Sequence, residues 1–204
     1  MSKILFVNQA SYKTSDNPHV LEDRKKWIVD GLQSLQKLAN HFDSVDELPE
    51  EILINIPESF DIVLDSSLNQ YGKINSGAGN LEMTRSLLDK FDKYDFYIHH
   101  EPRSVIRHSK MFDSFFENPR DYFRIGSCTD AKDMNQFWTG TYFTSTSNMK
   151  RFLEWANLDQ MCNQRISIEY HIKAFFDTNN TPFDTTTDAG ILWHDKQNNE
   201  TYEV

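Results

Sequence analysis

A cluster of side chains that can do chemistry follows a short apolar run in the middle of the chain. His99, His100, Glu101 and Arg103 come directly after residues 96–98, which read Phe-Tyr-Ile. Imidazole and carboxylate groups bind divalent metals or move protons, and a guanidinium binds phosphate. Because open α/β sheets bind ligands outside the carboxyl ends of their strands, this cluster is the first candidate for a functional site.

His99 and Glu101 are the candidates for holding a divalent cation. They are two residues apart, so at the end of an extended strand both side chains point to the same side. A His-Glu pair suits manganese or zinc better than magnesium, which favours oxygen ligands. Without a metal, Arg103 or Arg85 could neutralise phosphate by bidentate hydrogen bonding. The structural alternative is a surface ion pair between Glu101 and Arg103, with the histidines capping a strand.

The elements that must position this cluster can be traced from apolar patterns. Short apolar or β-branched runs predict strands, and apolar residues at spacings of three and four predict amphipathic helices. Two glycines, Gly77 and Gly79, predict a tight turn just before the helix predicted over 81–91. The predicted strands are 4–7, 61–65, 96–98, 123–125 and 138–143, and the predicted helices are 24–40, 81–91, 105–116, 147–156 and 168–176.

Strands that alternate with helices predict an α/β fold with a mostly parallel or mixed central sheet and helices on both faces. The chain has 204 residues, which is enough for one domain with a substantial core, so a single domain over 1–204 is expected. Gly77-x-Gly79 lacks the third glycine of a dinucleotide fingerprint and the Gly-Lys-Ser/Thr of a P-loop. Rossmann dehydrogenases and P-loop NTPases are therefore disfavoured.

Composition excludes several classes of partner. The formal net charge is -10 and no run of lysine or arginine interrupts it, so no nucleic acid is expected to bind. No segment approaches 18 consecutive apolar residues, so no transmembrane segment is expected. The 2 cysteines are too few for a disulfide framework, which fits a reducing compartment. These features predict a cytoplasmic protein.

The order of motifs resembles the GT-A fold of nucleotide-sugar glycosyltransferases. That family typically has Asn-x-Gly, an Arg-bearing helix, an apolar strand and then a metal-binding Asp-x-Asp. Asn75, Gly77 and Arg85 match the first part. His99-His100-Glu101 stands where Asp-x-Asp is expected, and this is the main departure from the family pattern.

Later segments extend the resemblance over about two thirds of the chain. Residues 137–141, Phe-Trp-Thr-Gly-Thr, resemble the Phe-x-x-Gly segment that lines the acceptor side in this family. Trp138, next to Gly140, is accordingly predicted to face a sugar, although most tryptophans in such a chain belong to the core. Glu169 resembles the acidic residue at a later helix start, and His194 resembles a C-terminal histidine that joins the metal.

Two of these assignments have plain structural alternatives. Glu169 is a candidate base or acceptor-binding carboxylate, but Lys173 lies four residues on, and Glu and Lys at that spacing also form an ordinary helix-surface pair. His194 precedes Asp195 and could orient toward a metal, or it could simply be solvated at a strand end.

Polar residues after the first two predicted strands are candidates for nucleotide contacts. Asn8, Gln9 and Ala10 follow the first strand, where the base and ribose lie in this fold, and Asp65 ends the second. Ordinary loop polarity would explain them equally well.

The resemblance implies a glycosyltransferase that moves a sugar from a nucleotide diphosphate sugar donor to a glycan or glycoconjugate acceptor. It implies a divalent cation, expected to be manganese, held by His99, Glu101 and His194. Two alternatives remain open. One is a metal-dependent hydrolase that activates water with these residues together with His100 and Asp195. The other is a catalytically silent module that binds nucleotide or glycan.

Overall fold

A computed structural model describes most of the chain and shows a mixed α/β architecture. The described residues are 2–10, 17–35, 41–44, 48–56, 60–65, 67, 70–108, 110–127, 133–194 and 200–204, with the backbone alone described at 41–44, 63 and 64. The elements are β1 (Ile4–Ala10), α1 (Pro18–Leu35), β2 (His41–Ser44), α2 (Glu50–Leu53), β3 (Asp61–Leu64), α3 (Ser76–Arg85), α4 (Leu88–Phe91), β4 (Phe96–His100), β5 (Ser104–Ile106), α5 (Lys110–Glu117), β6 (Tyr122–Ile125), β7 (Phe137–Ser145), α6 (Thr146–Trp155), α7 (Leu158–Gln164), α8 (Ile168–Thr178), β8 (Asp184–Thr186), β9 (Ile191–His194) and β10 (Thr201–Glu203).

The central sheet is mixed. Its strand order is β3-β2-β1-β4-β7-β6-β8, and the first four strands in that order are parallel to one another. β7 runs antiparallel to both β4 and β6, and β6 pairs with β8 in parallel. A smaller antiparallel sheet has the order β10-β9-β5. The prediction of an α/β fold with a mixed central sheet is confirmed.

Side chains alternate between two hydrophobic cores, one on each face of the central sheet. On the first face, here called the α1 face, Phe6 packs with residues of α1 and α5. On the second face, the α3 face, Leu5 packs with residues of α3, α6 and α8. The large buried residues that define them are Phe6, Ile28, Leu32, Phe112 and Phe115 on the α1 face, and Leu5, Leu81, Phe152, Ile172 and Phe175 on the α3 face.

The connection between β1 and β4 indicates where a ligand site is expected. From β1 the chain moves outward through α1 to β2 and β3, and then returns through α3 to place β4 on the other side of β1. α1 and α3 therefore cover opposite faces of the sheet. Such a reversal opens a crevice at the carboxyl ends of the two strands, and ligands of open α/β sheets bind in that crevice.

Two local predictions are wrong. Gly77 and Gly79 lie within α3 rather than in a turn, because the Asn75 side chain accepts hydrogen bonds from Gly77 N and Ala78 N and starts the helix before them. Val105 belongs to strand β5 instead of a helix, because this segment pairs with β9. The helix predicted over 24–40 begins earlier, at Pro18, and residues 36–40 lie outside the described part of the chain.

Within the described ranges, none of the helices is both long and apolar enough to cross a membrane. The cytoplasmic location and the single domain stay predictions.

Candidate functional site

The reversal between β1 and β4 brings strand ends from three strands to one edge. Val7 pairs with His99 and Asn8 with His100 across β1 and β4. Because β7 is antiparallel to β4, its beginning lies at the same edge, where Thr141 pairs with His100. This edge, formed by the carboxyl ends of β1 and β4 and the beginning of β7, is called the switch-point edge below. It is the candidate site.

The two histidines of β4 face opposite sides of the sheet. His100 is fully buried on the α1 face, with Nδ1 at 2.7 Å from Thr141 Oγ1 and Nε2 at 3.1 Å from Ser104 O. A carbonyl only accepts, so Nε2 carries the hydrogen, and Nδ1 of the neutral ring can only accept. The Thr141 hydroxyl also lies 2.8 Å from Gly140 O, and its single hydrogen serves one of these two contacts. Burial lowers the pKa of His100 to about 3, which keeps it neutral. Both ring nitrogens are thus used inside the protein.

His99 is buried on the α3 face. Its ring stacks on Tyr142 with centroids 4.9 Å apart, and its Nδ1 lies 3.5 Å from Tyr97 Oη. Burial lowers the pKa of His99 to about 4, and the Glu101 carboxylate opposes this shift. His99 is therefore a neutral imidazole packed between aromatic side chains.

Glu101 and Arg103 form a partly buried cluster with strand β9. Glu101 Oε2 accepts from Arg103 Nε at 2.9 Å and from Trp193 Nε1 at 3.1 Å, and it lies 2.8 Å from Arg103 Nη2. Arg103 Nη1 also donates to His194 O at 2.9 Å, and the guanidinium lies 4.8 Å from the centre of the Trp193 ring. The Arg103 side chain is only 8% exposed. Through Trp193 and the His194 carbonyl, the ion pair connects the segment after β4 to β9. It therefore differs from a solvated surface pair.

His194 points away from this cluster. Its ring stacks on Trp27 of α1 with centroids 4.7 Å apart, and its Nδ1 lies 2.8 Å from Thr201 Oγ1. Burial lowers its pKa.

The predicted metal ligands do not fit a metal site. Across the described residues, no group of three or more His, Cys, Asp or Glu side chains could hold a metal ion. His99 is stacked in the α3-face core, Glu101 is hydrogen-bonded to Arg103 and Trp193, and His194 is stacked on α1. The predicted hydrolase centre uses the same three side chains, so it does not fit a metal site either. Its Asp195 lies outside the described residues. The use of manganese stays a prediction that this geometry does not support.

Asn75, Gly77 and Arg85 serve contacts between helices. Asn75 caps α3 with its Oδ1, and its Nδ2 donates to Met161 O at 3.0 Å and to Ile166 O at 2.9 Å. A Cβ on Gly77 would lie 2.9 Å from Ile168 Cβ, so glycine allows α3 to approach α8.

Arg85 Nη2 donates to the carbonyls of Leu153 at 2.7 Å and Ala156 at 2.8 Å, at the end of α6. With Asn75 and Gly77, it sets the position of α3 against its neighbours. The prediction that these residues contact a donor nucleotide stays untested.

Trp138 is in the core, which does not fit a sugar-facing role. It is 4% exposed and meets Trp193 edge to face with centroids 6.4 Å apart. A Cβ on Gly140 would lie 2.2 Å from Trp138 Cζ2, so Gly140 lets the indole fold back across its own strand. The register between β6 and β7 shifts at this point, so the regular pairing of the two strands is interrupted here.

Glu169 is the predicted carboxylate that the structure places best. It lies half-buried in the first turn of α8, and its Oε1 accepts a hydrogen bond from Thr139 Oγ1 of β7 at 2.9 Å. Lys173 bonds to Asp177 instead of Glu169, so the surface pair considered from spacing is absent at this position. Thr139 was not among the predicted residues, and only its place beside Gly140 could have indicated it.

The residues predicted to contact the nucleotide lie in two places, the switch-point edge and the turn after β3. Asn8, Gln9 and Ala10 are buried at the end of β1. Gln9 Nε2 donates to Thr84 Oγ1 of α3 at 3.1 Å. Asp65 follows β3 and accepts from Ser67 N at 2.9 Å, and hydrogen bonds from Ser67 lower its pKa. Gln9 therefore belongs to the switch-point edge, whereas Asp65 organises its own turn.

Comparisons with known proteins show similarity to a solved structure and none to family models or curated sequences. No protein-family model matches the chain, and no curated protein matches it. Among solved structures, the chain is similar to mouse xyloside xylosyltransferase 1 in its apo form, with 12% sequence identity and a TM-score of 0.48. The match covers 91% of this chain and 84% of that chain.

Proposed function

We propose that this protein is a glycosyltransferase that binds a nucleotide diphosphate sugar at the switch-point edge and transfers the sugar to a glycan or glycoconjugate. The proposal rests on one observation: the strand reversal between β1 and β4 lies beside a carboxylate that β7 and α8 hold in place, Glu169 on Thr139. A crevice of this kind is where open α/β folds bind nucleotides. The order of motifs in the sequence favours the same class.

The proposed chemistry uses a carboxylate as the base that takes the acceptor proton. The bond between the sugar and the diphosphate breaks, a bond forms between the sugar and an acceptor oxygen, and the acceptor hydroxyl loses its proton. Glu169 takes that proton in this scheme, and the hydrogen bond from Thr139 fixes the carboxylate while leaving its second oxygen for the acceptor. The nucleoside diphosphate leaves as the other product.

A second candidate function is binding without turnover. Arg85 and Arg103, the two arginines predicted to neutralise the departing diphosphate, donate their hydrogen bonds to carbonyls and to Glu101. A donor site needs positive charge or a metal to stabilise the leaving group. This observation favours a module that holds a nucleotide or glycan and leaves it intact.

Calorimetric titration separates these cases. We expect uridine or guanosine diphosphate to bind the wild-type protein, in EDTA and with added Mn²⁺. No binding of any nucleoside diphosphate under either condition would refute the proposal. Binding of the nucleotide sugar without release of nucleoside diphosphate, in the presence of candidate acceptors, would favour the silent module.

Glu169→Gln tests the catalytic role. We expect release of nucleoside diphosphate to fall about 100-fold, because the proton acceptor is lost. Donor affinity should change less than about twofold, since the amide can still accept from Thr139. Glu154→Gln, an exposed position on α6, is the matched control. Unchanged turnover in Glu169→Gln would remove Glu169 from the mechanism.

A further inference from the structure

Gln9 and α3 are joined by a directed chain of hydrogen bonds at the switch-point edge. Thr84 Oγ1 donates to the backbone carbonyl of Asn80 at 2.9 Å. The single hydroxyl hydrogen is used there, so Thr84 can only accept from Gln9, whose Nε2 lies at 3.1 Å. This fixes the orientation of the Gln9 amide. Its carbonyl oxygen Oε1 must point away from Thr84.

The carbonyl oxygen of Gln9 is buried, and no described residue donates to it. Gln9 is 5% exposed, and Oε1 has no hydrogen-bond partner within the described residues. Asn80 Oδ1 is a second buried acceptor without a hydrogen-bond partner among the described residues. Asn80 and Thr84 are four residues apart in α3, so their side chains share one face of the helix. Asn80 thus lies one turn from the Gln9 contact, toward the helix start.

The start of α3 lies at the switch-point edge. Gly77 touches Ile168 at the beginning of α8, and the next residue, Glu169, bonds to Thr139 of β7. The two buried acceptors therefore lie between the end of β1 and the first turns of α3. An unsatisfied buried carbonyl is unfavourable, so such a pair is typical of a site whose ligand supplies the donors.

We propose that Gln9 Oε1 and Asn80 Oδ1 accept hydrogen bonds from neighbouring hydroxyls of the sugar ring of the donor. The identity of this ligand rests on the proposed function. A sugar ring carries several adjacent O–H donors, whereas a diphosphate carries none. Carbonyl oxygens repel phosphate, and the carboxylates of Glu101 and Glu169 near the same edge add to that repulsion. Gln9 and Asn80 therefore determine specificity for the sugar of the donor.

Two variants and a set of probes test this inference. Gln9→Met keeps the side-chain length and removes the acceptor, and Asn80→Ala removes the second one. The probes are UDP-glucose, UDP-xylose and UDP, titrated into each variant, with Gln33→Met on the exposed side of α1 as the control. We expect each variant to lose about tenfold in affinity for the nucleotide sugar it prefers, with affinity for UDP unchanged.

A second measurement uses the wild-type protein and does not depend on the variants folding. The side-chain amide resonances of Gln9 and Asn80 are followed by NMR while free glucose or xylose is added. We expect these resonances to shift and saturate. Absence of any shift, or variants that bind nucleotide sugars like the wild type, would overturn the inference. So would an equal loss of affinity for UDP, since the acceptors would then contact the nucleotide.

The two levels of proposal can fail separately. If no nucleotide binds but free sugars still shift the two amide resonances, the proposed function is wrong and the sugar contact stands. If nucleotide sugars bind and the variants do not weaken them, only the sugar contact is wrong. If neither nucleotides nor sugars bind, both proposals are refuted.

Discussion

Neutral imidazoles buried at the end of β4 make the stability of this protein dependent on pH. The pKa values of His99 and His100 are lowered to about 4 and about 3, and burial also lowers those of His171 and His194. Below pH 6.5, the ordinary pKa of histidine, these side chains are protonated in the unfolded chain but stay neutral in the folded one. Each such group therefore contributes stability that is complete above pH 6.5 and is lost as the pH falls toward its folded value.

We expect the free energy of unfolding in urea to decrease as the pH is lowered from about 6.5 to about 4.5, by up to about 1.4 kcal/mol per pH unit for each histidine. His99→Gln should make this slope shallower, whereas His19→Gln, at an exposed position, should leave it unchanged. The measurement is urea unfolding followed by circular dichroism across this range. A midpoint that does not depend on pH would show that these imidazoles can be protonated in the folded state.

Sequence reasoning placed the candidate cluster correctly at a strand end but could not assign the role of each side chain. Alternation along β4 puts His99 and His100 on opposite faces, which separates two residues that look like one pair. The adjacency of Glu101 and Arg103 predicted their ion pair. The bond from Trp193 Nε1 to Glu101 joins residues 92 positions apart, and no local pattern could reveal it.

At the scale of elements, Asn75 joins α3 to α7 and to the segment that follows α7, and this can be measured. Asn75→Ala should reduce the free energy of unfolding by about 2–4 kcal/mol, because it removes a helix cap and two partly buried hydrogen bonds to backbone carbonyls. Asn75→Asp keeps the cap but sets a carboxylate against the carbonyls of Met161 and Ile166. We expect it to be almost as damaging as Ala.

Asn157, the cap of α7, is the matched control for Asn75. Its Oδ1 accepts from Gln160 N at 2.9 Å. Asn157→Asp should therefore stay within about 0.5 kcal/mol of the wild type in urea unfolding, since Asp caps as well as Asn. If Asn75→Asp is equally harmless, Asn75 acts as a cap alone and its side-chain amide is available to a ligand.

The interrupted pairing in β7 gives another prediction at the scale of elements. Gly140→Ala places a Cβ 2.2 Å from the Trp138 ring, so the indole must leave its contact with Trp193. We expect a loss of about 1–3 kcal/mol together with a changed near-ultraviolet circular dichroism spectrum. In a Trp138→Leu background the same substitution should cost much less. Equal costs in both backgrounds would show that Trp138 is not the obstacle.

Elements with strong apolar runs were predictable, and those that depend on pairing were not. β1, β4 and β7 each carry such a run, so their positions agree with expectation. β2 reads His-Phe-Asp-Ser and is a strand only because it pairs between β1 and β3. The glycines of α3 suggested a turn, yet Gly77 is there because α8 approaches too closely for a larger residue.

At the scale of the whole molecule, the net charge of the protein opposes the nucleotide that we propose as its ligand. The formal net charge is -10, and a nucleoside diphosphate is also an anion. Arg85 and Arg103 are held by internal hydrogen bonds. Long-range repulsion should therefore weaken binding at low ionic strength, where the Debye length is about 20 Å, and fade as it shrinks to about 7 Å.

This predicts an unusual salt dependence. In EDTA, the affinity for uridine diphosphate should rise about two- to fivefold between about 20 mM and about 200 mM NaCl. A site built on free arginines or lysines would show the opposite trend, because salt would screen an attraction. Uridine, which has no charge, serves as the control and should bind equally at both concentrations. A fall in diphosphate affinity with salt would mean that cationic side chains contact the phosphates, and it would favour the catalytic proposal over the silent module.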